Sequence, residues 1–385
     1  MSIYEEMIPY LLHWYKYNAR VLPWREDPSA YHVWVSEIML QQTRVEAVRG
    51  YYMRFLDALP TVKALAECPD DRLLKLWEGL GYYSRARNLK KAAGVICEQY
   101  GGVLPSEVTE LRKLPGIGDY TAGAIASIAF HKPEPAVDGN LLRVLSRVSG
   151  SRENIDLPEV RKRMAAELKA VMPKEESGEL NQAIMDIGAT ICIPNGAPHC
   201  EDCPIVHLCT AYREDTVSEI PVREAKRARR IEKKTVFLIT KGEKILLHKR
   251  PASGLLAGMY EYPNVPGHVA KKDVVETVMA WVGEAGMGLA GVAVREMLAT
   301  SAGEAAGEAT AITKAKSAKH IFSHIEWHMN AWRVTISDEA ETGVSGTAAE
   351  VPVDGYVWST EEELRTLYSL PSAFSKWDVF EKGTD

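Results

Sequence analysis

Residues 114–138 form the stretch LPGIGDYTAGAIASIAFHKPEPAVD, in which a Gly-Ile-Gly turn precedes an alanine-rich helical pattern. Gly116 and Gly118 lack the Cβ atoms that would keep another backbone at a distance. Backbone N–H groups at such a turn, and at the start of the helix predicted from Asp119, point outward and can bind a phosphate oxygen. Close packing of two helices would explain the same glycines. This stretch alone therefore leaves phosphate binding and packing equally open.

The composition is that of a soluble globular protein, and the length of 385 residues predicts two domains, or at most three. No apolar run is long enough to cross a bilayer. The N-terminal segment carries Glu5 and Glu6 among aromatic residues, which argues against a secretory signal. We expect a cytoplasmic, nucleoid-associated protein that makes no membrane contact and works as a monomer.

The net charge of −6 is unevenly distributed. Residues 235–385 hold 14 Lys and Arg against 20 Asp and Glu, so residues 1–234 hold 32 of each and are neutral. A protein that binds nucleic acid usually has a basic excess. Here the basic residues cluster only at 223–234, so composition argues weakly against DNA and only motifs can argue for it.

The hydrophobic pattern predicts two domains of different class. Residues 1–212 show apolar positions at helical spacing, broken by Pro and Gly, and predict a mainly α domain. Residues 213–233 are polar and charge-dense, which is typical of a linker. Residues 234–385 predict an α+β domain.

Strands are expected within that second domain. Residues 235–240 and 244–250 are two β-type runs joined by a turn at Lys241-Gly242. Further strands are predicted at 320–336 and 355–358. Residues 300–319 are rich in Ala, Gly, Ser, Thr and Glu and predict a mobile loop.

Four of the six cysteines lie within eighteen residues, with the spacing C-x7-C-x2-C-x5-C. They are Cys192, Cys200, Cys203 and Cys209. Because disulfides are rare in a reducing compartment, four neighbouring thiols indicate a metal. Zinc held by four cysteines usually shows two CxxC pairs, whereas a single CxxC with longer arms suits a [4Fe–4S] cluster better. The spacing favours the cluster and leaves zinc open.

The order of these features resembles the endonuclease III superfamily of helix-hairpin-helix DNA glycosylases, and within it the adenine-specific MutY branch. A Gly-x-Gly hairpin, Asp138 twenty residues beyond its second glycine and a four-cysteine loop follow one another. The matching motifs are PWR at 23–25, VSEIMLQQT at 35–43, WEGLGYYSRARN at 77–88, DGN at 138–140, NQA at 181–183, MDIGA at 185–189, RP at 250–251, GLLAGMYEYP at 254–263 and FSH at 322–324. Together they extend over almost the whole chain. One departure is the first cysteine interval, which has seven residues where the family usually has six.

The resemblance implies a catalytic pair of carboxylates. Glu37 would protonate the adenine leaving group and later activate water, and Asp138 would stabilise the positive charge that develops on the sugar. Apolar neighbours of Glu37 make burial and a raised pKa plausible, while Asp138 could also serve as a helix N-cap. Tyr120 stands where strand-cleaving relatives have a Schiff-base lysine, so the chain should leave an abasic site uncut. Tyr120 and Asn140 are expected to position Asp138 or the sugar.

Contacts with DNA and with the flipped base follow from the same resemblance. Gln42, followed by Thr43, and Tyr82 would insert beside the orphaned partner base, compensating its lost stacking. Gly116 and Gly118 would contact phosphate. The residues expected to line the adenine pocket are Trp24, Arg25 and Gln182.

The second domain resembles a Nudix fold that lacks the metal-binding residues of a Nudix hydrolase. The paired glutamates of a Nudix metal helix are missing between residues 274 and 286, so pyrophosphate hydrolysis is not expected. The resemblance implies that this domain checks the partner base, and that Phe322, Ser323 and His324 sense 8-oxoguanine.

These features predict an adenine DNA glycosylase with a [4Fe–4S] cluster that acts on duplex DNA containing adenine opposite 8-oxoguanine or guanine. The domains are expected at 1–212 (with the iron–sulfur loop at 192–209), 213–233 as linker and 234–385 as the recognition domain. Two alternatives stay open: a thymine- or pyrimidine-directed glycosylase on the same scaffold, and a mismatch-binding protein without catalysis.

Overall fold

The computed structural model describes residues 2–224, 228–278, 310–336, 355–377, 379 and 380. The chain folds into two compact units: Met1–Cys68 with Ser84–Lys226, and Pro69–Tyr83 with Arg227–Asp385. The domain boundaries given above stay a prediction. The sequence offers no sign that Pro69–Tyr83 groups with the later part of the chain.

The first unit is helical, as predicted. Its helices are α1 (Ile3–Asn18), α2 (Pro23–Glu26), α3 (Ala30–Leu40), α4 (Val45–Ala58), α5 (Val62–Glu67), α7 (Ser84–Tyr100), α8 (Val108–Leu111), α9 (Asp119–Phe130), α10 (Gly139–Ser149), α11 (Pro158–Lys169), α12 (Ser177–Thr190) and α13 (Thr210–Arg213), while α6 (Asp70–Leu76) belongs to the second unit. Leu11 of α1, Leu145 of α10 and Ile184 of α12 share one buried core. In the part of the chain that the structure describes, no helix is long and apolar enough to span a membrane.

Helix α9 runs through the middle of this unit, with its residues from Thr121 to Ile128 buried. A side chain at Gly123 would overlap the carbonyl oxygen of Pro135, so this glycine permits a close backbone approach. Helix α3 packs against α9 and is also buried along most of its length. The two helices bring residues more than eighty positions apart to the same cavity.

The hairpin between α8 and α9 separates the roles of its two glycines. Gly116 has φ +78°, and a Cβ there would lie 2.7 Å from Cβ of Asn88, so conformation and packing both require glycine. Gly118 is exposed, with an ordinary φ of −94°, and no described atom lies within 4 Å of the place its Cβ would occupy. Packing therefore explains the first glycine only.

The second unit is built on a mixed sheet. The strands are β1 (Arg230–Lys241), β2 (Lys244–Lys249), β3 (Tyr260–Glu261), β4 (Asn264–Pro266), β5 (Thr310–Ile321), β6 (Ile325–Ile336) and β7 (Tyr356–Ser359). The order is β3-β2-β1-β6-β5, with β4 paired to β1 and β7 to β2. Strands β1 and β6 are parallel, with Val236 opposite Ala331, and the other pairs are antiparallel.

The predicted β1–β2 hairpin is confirmed, with Thr240 opposite Ile245. The predicted loop over residues 300–319 is wrong where the structure describes it, because residues 310–319 belong to β5. The partner strand β6 supplies large buried apolar side chains, among them Trp327 and Met329, whereas β5 buries the small Ala315. A short helix at Glu361–Thr366 follows β7 and begins with a capping box at Thr360 and Glu363.

Candidate active site

A cavity of about 180 Å³ opens in the helical unit between α3, α9, α10 and α12. Glu37, Tyr120, Asp138 and Asn140 line it together with two of the predicted pocket residues, Trp24 and Gln182. These side chains come from five separate segments of the chain. The fold therefore brings the predicted catalytic and base-pocket residues to one place.

Glu37 lies on α3 and is only 5% exposed. The pKa of its carboxyl is raised to about 7, first because the buried charged form loses its hydration and also because Asp138 is nearby. The Tyr120 hydroxyl donates a hydrogen bond to Oε2 of Glu37, which works in the opposite direction. A carboxyl with this pKa can give up and take back a proton near neutral pH.

Asp138 is the N-cap of α10. Its Oδ1 accepts the backbone N–H of Leu141 at 2.7 Å, and its Oδ2 accepts the Asn140 side-chain amide at 2.9 Å. Burial raises the pKa of this carboxyl, while the two hydrogen bonds lower it by favouring the ionised form. The Asp138 side chain thus caps α10 and also lines the cavity, and its hydrogen bonds hold it in place.

Tyr120 and Asn140 have different partners. Asn140 contacts Asp138, as predicted from its position, whereas the Tyr120 hydroxyl is bonded to Glu37 and not to Asp138. The phenol also carries a pKa well above its usual value, because burial and the carboxyls of Glu37 and Asp138 disfavour a phenolate. Tyr120 is therefore a hydrogen-bond donor to the acid.

Arg143 was not anticipated from the sequence. Its guanidinium donates to Oδ1 of Asn140 at 2.8 Å, to the Gly188 carbonyl at 2.7 Å and to the Cys192 carbonyl at 2.7 Å. It fixes the amide that holds Asp138 and ties α10 to α12. A buried guanidinium needs polar partners, and the Asn140 amide and the two carbonyls supply them.

The base-pocket residues also differ in what they do. Trp24 is buried, packs edge-on against Tyr52 and lines the cavity, and Gln182 is half-buried on its wall. Arg25 lines the cavity too, but its guanidinium is bidentate to Asp186, at 2.8 and 2.9 Å. Asp186 is fully buried and also accepts Arg20 Nε at 2.7 Å. The geometry gives Arg25 a bracing role between α2 and α12.

Gln42 and Thr43 follow the end of α3. Gln42 is exposed and has φ +57°, an uncommon conformation for a residue with a side chain. Arg85 holds this turn: its Nη1 donates to the carbonyls of Ile38, Met39 and Gln41 at 2.6–2.9 Å, and its Nη2 to Oγ1 of Thr43 at 3.2 Å. The buried Arg85 guanidinium thus stabilises a strained turn in which Gln42 is exposed to solvent.

The second unit carries the other predicted contact residues. Ser323 and His324 are exposed in the turn between β5 and β6, whereas Phe322 is half-buried and packs edge-on against Trp327 at 4.8 Å. Phe322 thus anchors the turn in the core. The Ser323 hydroxyl donates to the Tyr82 hydroxyl at 3.2 Å, and Tyr82 is 44% exposed with φ +48°. Two residues that the family resemblance places at the partner base therefore contact each other.

The sequence matches the HhH-GPD superfamily of base excision DNA repair proteins over residues 35–170 and the NUDIX domain over residues 235–377. The adenine DNA glycosylase of Rattus norvegicus is 31% identical to this chain, over 97% of this chain and 78% of the relative. The chain belongs to the adenine DNA glycosylase family.

A bacterial member of the adenine DNA glycosylase family, from Buchnera aphidicola subsp. Schizaphis graminum, is 36% identical over 66% of this chain and 73% of its own length. A solved structure of a thermostable thymine-DNA glycosylase is 28% identical, with a TM-score of 0.51 over 55% of this chain and 97% of that chain. This likeness supports the helical fold of the first unit.

The four cysteines that suggest a cofactor in this adenine DNA glycosylase line one cavity beside α10. Arg147 Nη1 lies 3.2 Å from Sγ of Cys192, and its Nε donates to the Ile220 carbonyl at 2.8 Å. Within the described residues, no group of three or more His, Cys, Asp or Glu has the arrangement of a metal-ion site. Four thiols around one cavity, with a cation beside one sulfur, form a donor set that an iron–sulfur cluster held by thiolates can use. The segment 274–286, in which the sequence lacks the paired glutamates of a Nudix metal helix, lies outside the described residues beyond 278.

Proposed function

We propose that this adenine DNA glycosylase removes adenine opposite 8-oxoguanine or guanine in duplex DNA and leaves an abasic site without cutting the strand. The observation that carries the proposal is the cavity in which Glu37, with a pKa of about 7, lies near Asp138. Family membership supports adenine as the base. The alternatives of pyrimidine removal and of binding without catalysis become outcomes of the test.

The two carboxyls divide the chemistry between them. Glu37 keeps its proton near neutral pH and donates it to the departing adenine, which is a poor leaving group as an anion. The Leu141 N–H and the Asn140 amide favour the ionised form of Asp138, and its charge stabilises the oxocarbenium-like sugar. Glu37, now ionised, then accepts a proton from the attacking water.

Tyr120 supports the monofunctional part of the proposal. Strand cleavage by a Schiff base needs an amine at the sugar. At the start of α9 the cavity instead holds a phenol, which donates to Glu37. Removal of the base should therefore leave the sugar–phosphate backbone intact.

The hairpin at Gly116–Gly118 supports duplex DNA as the partner. Gly118 is exposed with open space around it, and it immediately precedes the N-terminus of α9. A phosphate can approach backbone N–H groups there. We propose that this turn binds one phosphate of the duplex DNA. We also propose that the protein acts as a cytoplasmic, nucleoid-associated monomer.

A panel of duplexes tests the function. Base release is measured on A·8-oxoguanine, A·G, T·G and thymine glycol, with and without alkali. We expect release from the two adenine duplexes, and strand breaks only after alkali. Release from the pyrimidine substrates alone would contradict adenine specificity, binding without release would favour the mismatch binder, and breaks without alkali would contradict a monofunctional enzyme.

We propose further that Cys192, Cys200, Cys203 and Cys209 hold a [4Fe–4S] cluster. When bound, this group would link the four cysteines of the loop at 192–209 through their thiolates, and it would supply electron-transfer capacity. Iron and sulfide analysis of the purified protein tests the assignment. About four irons per chain are expected, and Cys203→Ser should lower that content, whereas stoichiometric zinc without iron would overturn it.

A further inference from the structure

The segment Pro69–Tyr83 belongs to the glycosylase region by sequence and to the second unit by its contacts. It lies inside the HhH-GPD match at 35–170, yet it clusters with Arg227–Asp385. The segment consists of α6 and the turn that ends at Tyr82 and Tyr83. Three sets of polar contacts attach it to the second unit.

Lys75 makes the first set. Its ammonium donates to the carbonyls of Leu364 at 2.9 Å and Tyr368 at 3.2 Å, and it pairs with Oε2 of Glu78 at 2.7 Å. An ammonium has three donors, and these contacts account for all of them. The side chain is only 18% exposed, so solvent screens these bonds weakly.

Glu78 makes the second set and completes a bridge. Its Oε1 accepts the backbone N–H of Leu370 at 2.6 Å while its Oε2 faces Lys75. Asp71 adds the third set, because both of its carboxylate oxygens accept Lys249 Nζ, at 2.8 and 2.9 Å. The Asp71 side chain is 49% exposed, so this outer pair contributes less than the inner bridge.

The turn that carries Tyr82 is braced from within. Trp77 is fully buried, and its Nε1 donates to the Gly81 carbonyl at 3.2 Å. The Tyr83 hydroxyl accepts the Gly79 N–H at 3.2 Å. Because the turn holds its own shape, the place of Tyr82 depends on where α6 is attached.

We propose that Lys75 and Glu78 are positioning residues for recognition of the partner base: they fix Tyr82 against Ser323 by holding α6 on the second unit. This inference rests on the proposed function. Lys75 and Glu78 thereby set the distance between the Ser323 and Tyr82 hydroxyls, which is 3.2 Å. Tyr82 and Ser323 then contact the partner base in a fixed arrangement. Loosening the bridge should weaken discrimination between 8-oxoguanine and guanine before it affects removal of adenine.

The test compares single-turnover adenine release from A·8-oxoguanine and A·G duplexes. The variants are Lys75→Met, Glu78→Gln, Ser323→Ala and the Lys75→Met/Ser323→Ala pair, with Lys63→Met as control. Lys63 is a helix lysine that is 76% exposed and has only a 3.8 Å ion pair with Glu67. Lys75→Met should lower the ratio of the two rates about tenfold, the loss expected for one charge-assisted hydrogen bond. Glu78→Gln, which can keep the Leu370 contact, should lower it about threefold.

Coupling to Ser323 separates positioning from general damage to the fold. If Lys75 acts through the Tyr82–Ser323 contact, the double variant should lose no more discrimination than the more damaging single variant. Additive losses, or an unchanged ratio in both Lys75→Met and Glu78→Gln, would overturn the inference while leaving the proposed function intact. Equal rates on the two duplexes for the wild-type protein would overturn this inference and leave the proposed function intact, whereas release from neither duplex would contradict the proposed function.

Discussion

The cavity around Glu37 and the turn at Phe322–His324 are two opposite ways of building a site. Glu37 is 5% exposed and its pKa is raised to about 7, whereas Ser323 and His324 are exposed and Ser323 contacts Tyr82 through a hydroxyl–hydroxyl hydrogen bond. A shift of one pKa unit corresponds to about 1.4 kcal/mol, while a neutral hydrogen bond contributes about 1 kcal/mol. Burial therefore gives the first site a large effect on rate, and the second site can contribute only modest selectivity.

Replacing the buried acid should have the largest effect. Glu37→Gln removes the proton donor but keeps a side chain that can accept the Tyr120 hydroxyl. Base release from A·8-oxoguanine in single-turnover assays should fall about a thousandfold, within the range of general acid catalysis. The control is Glu46→Gln on α4, a side chain that is 83% exposed. Activity within tenfold of wild type would remove Glu37 from the role of acid.

Asp138→Asn should have the second-largest effect on the rate of base release. Asparagine is as good an N-cap as aspartate, so α10 and the melting temperature should be kept. The negative charge near the sugar is lost, and base release should fall about a hundredfold. A variant that folds and retains near-normal release would show that capping is the only role of Asp138.

Tyr120→Phe should have a smaller effect on rate and a visible effect on pH dependence. The hydroxyl favours the ionised form of Glu37, so removing it should raise the pKa of Glu37 by roughly one unit. The alkaline limb of the rate profile should move to higher pH, with the rate at pH 7 changed by about fivefold at most. An alkaline limb that stays in place or moves down would contradict this contact.

Ser323→Ala should have the smallest effect. One exposed neutral hydrogen bond is lost, so the preference for A·8-oxoguanine over A·G should fall about threefold to tenfold. Release from A·G itself should change little. A fall in the rate of adenine release as large as that of Glu37→Gln would contradict the conclusion that the buried cavity determines rate and the exposed turn contributes only selectivity.

Local signals allowed most of the fold to be predicted. The start of α9 at Asp119 follows from the Gly-x-Gly turn, and the β1–β2 hairpin follows from two β-type runs around Lys241-Gly242. Strand β5 was missed at residues 310–319 because alanine and lysine have weak strand preference, and the large buried side chains come from its partner β6.

The candidate site was predicted as a set of residues but not as a network. Glu37 and Tyr120 lie 83 positions apart, and Arg25 and Asp186 lie 161 positions apart. No pattern in a single sequence pairs residues at such separations. The motif resemblance therefore placed Arg25 beside the base, and the structure adds that its guanidinium is held by Asp186.

The pH dependence of kcat/KM for adenine release from an A·8-oxoguanine duplex, measured from about pH 5.5 to about pH 9, tests the role of Glu37 most directly. Under the proposed mechanism the acid form of Glu37 is the active one, and its pKa is raised to about 7. The rate constant should therefore be level below that pH and fall about tenfold per pH unit well above it. A profile that stays flat to about pH 9, or that already falls near the ordinary pKa of a glutamate, would contradict a buried acid at the centre of this site.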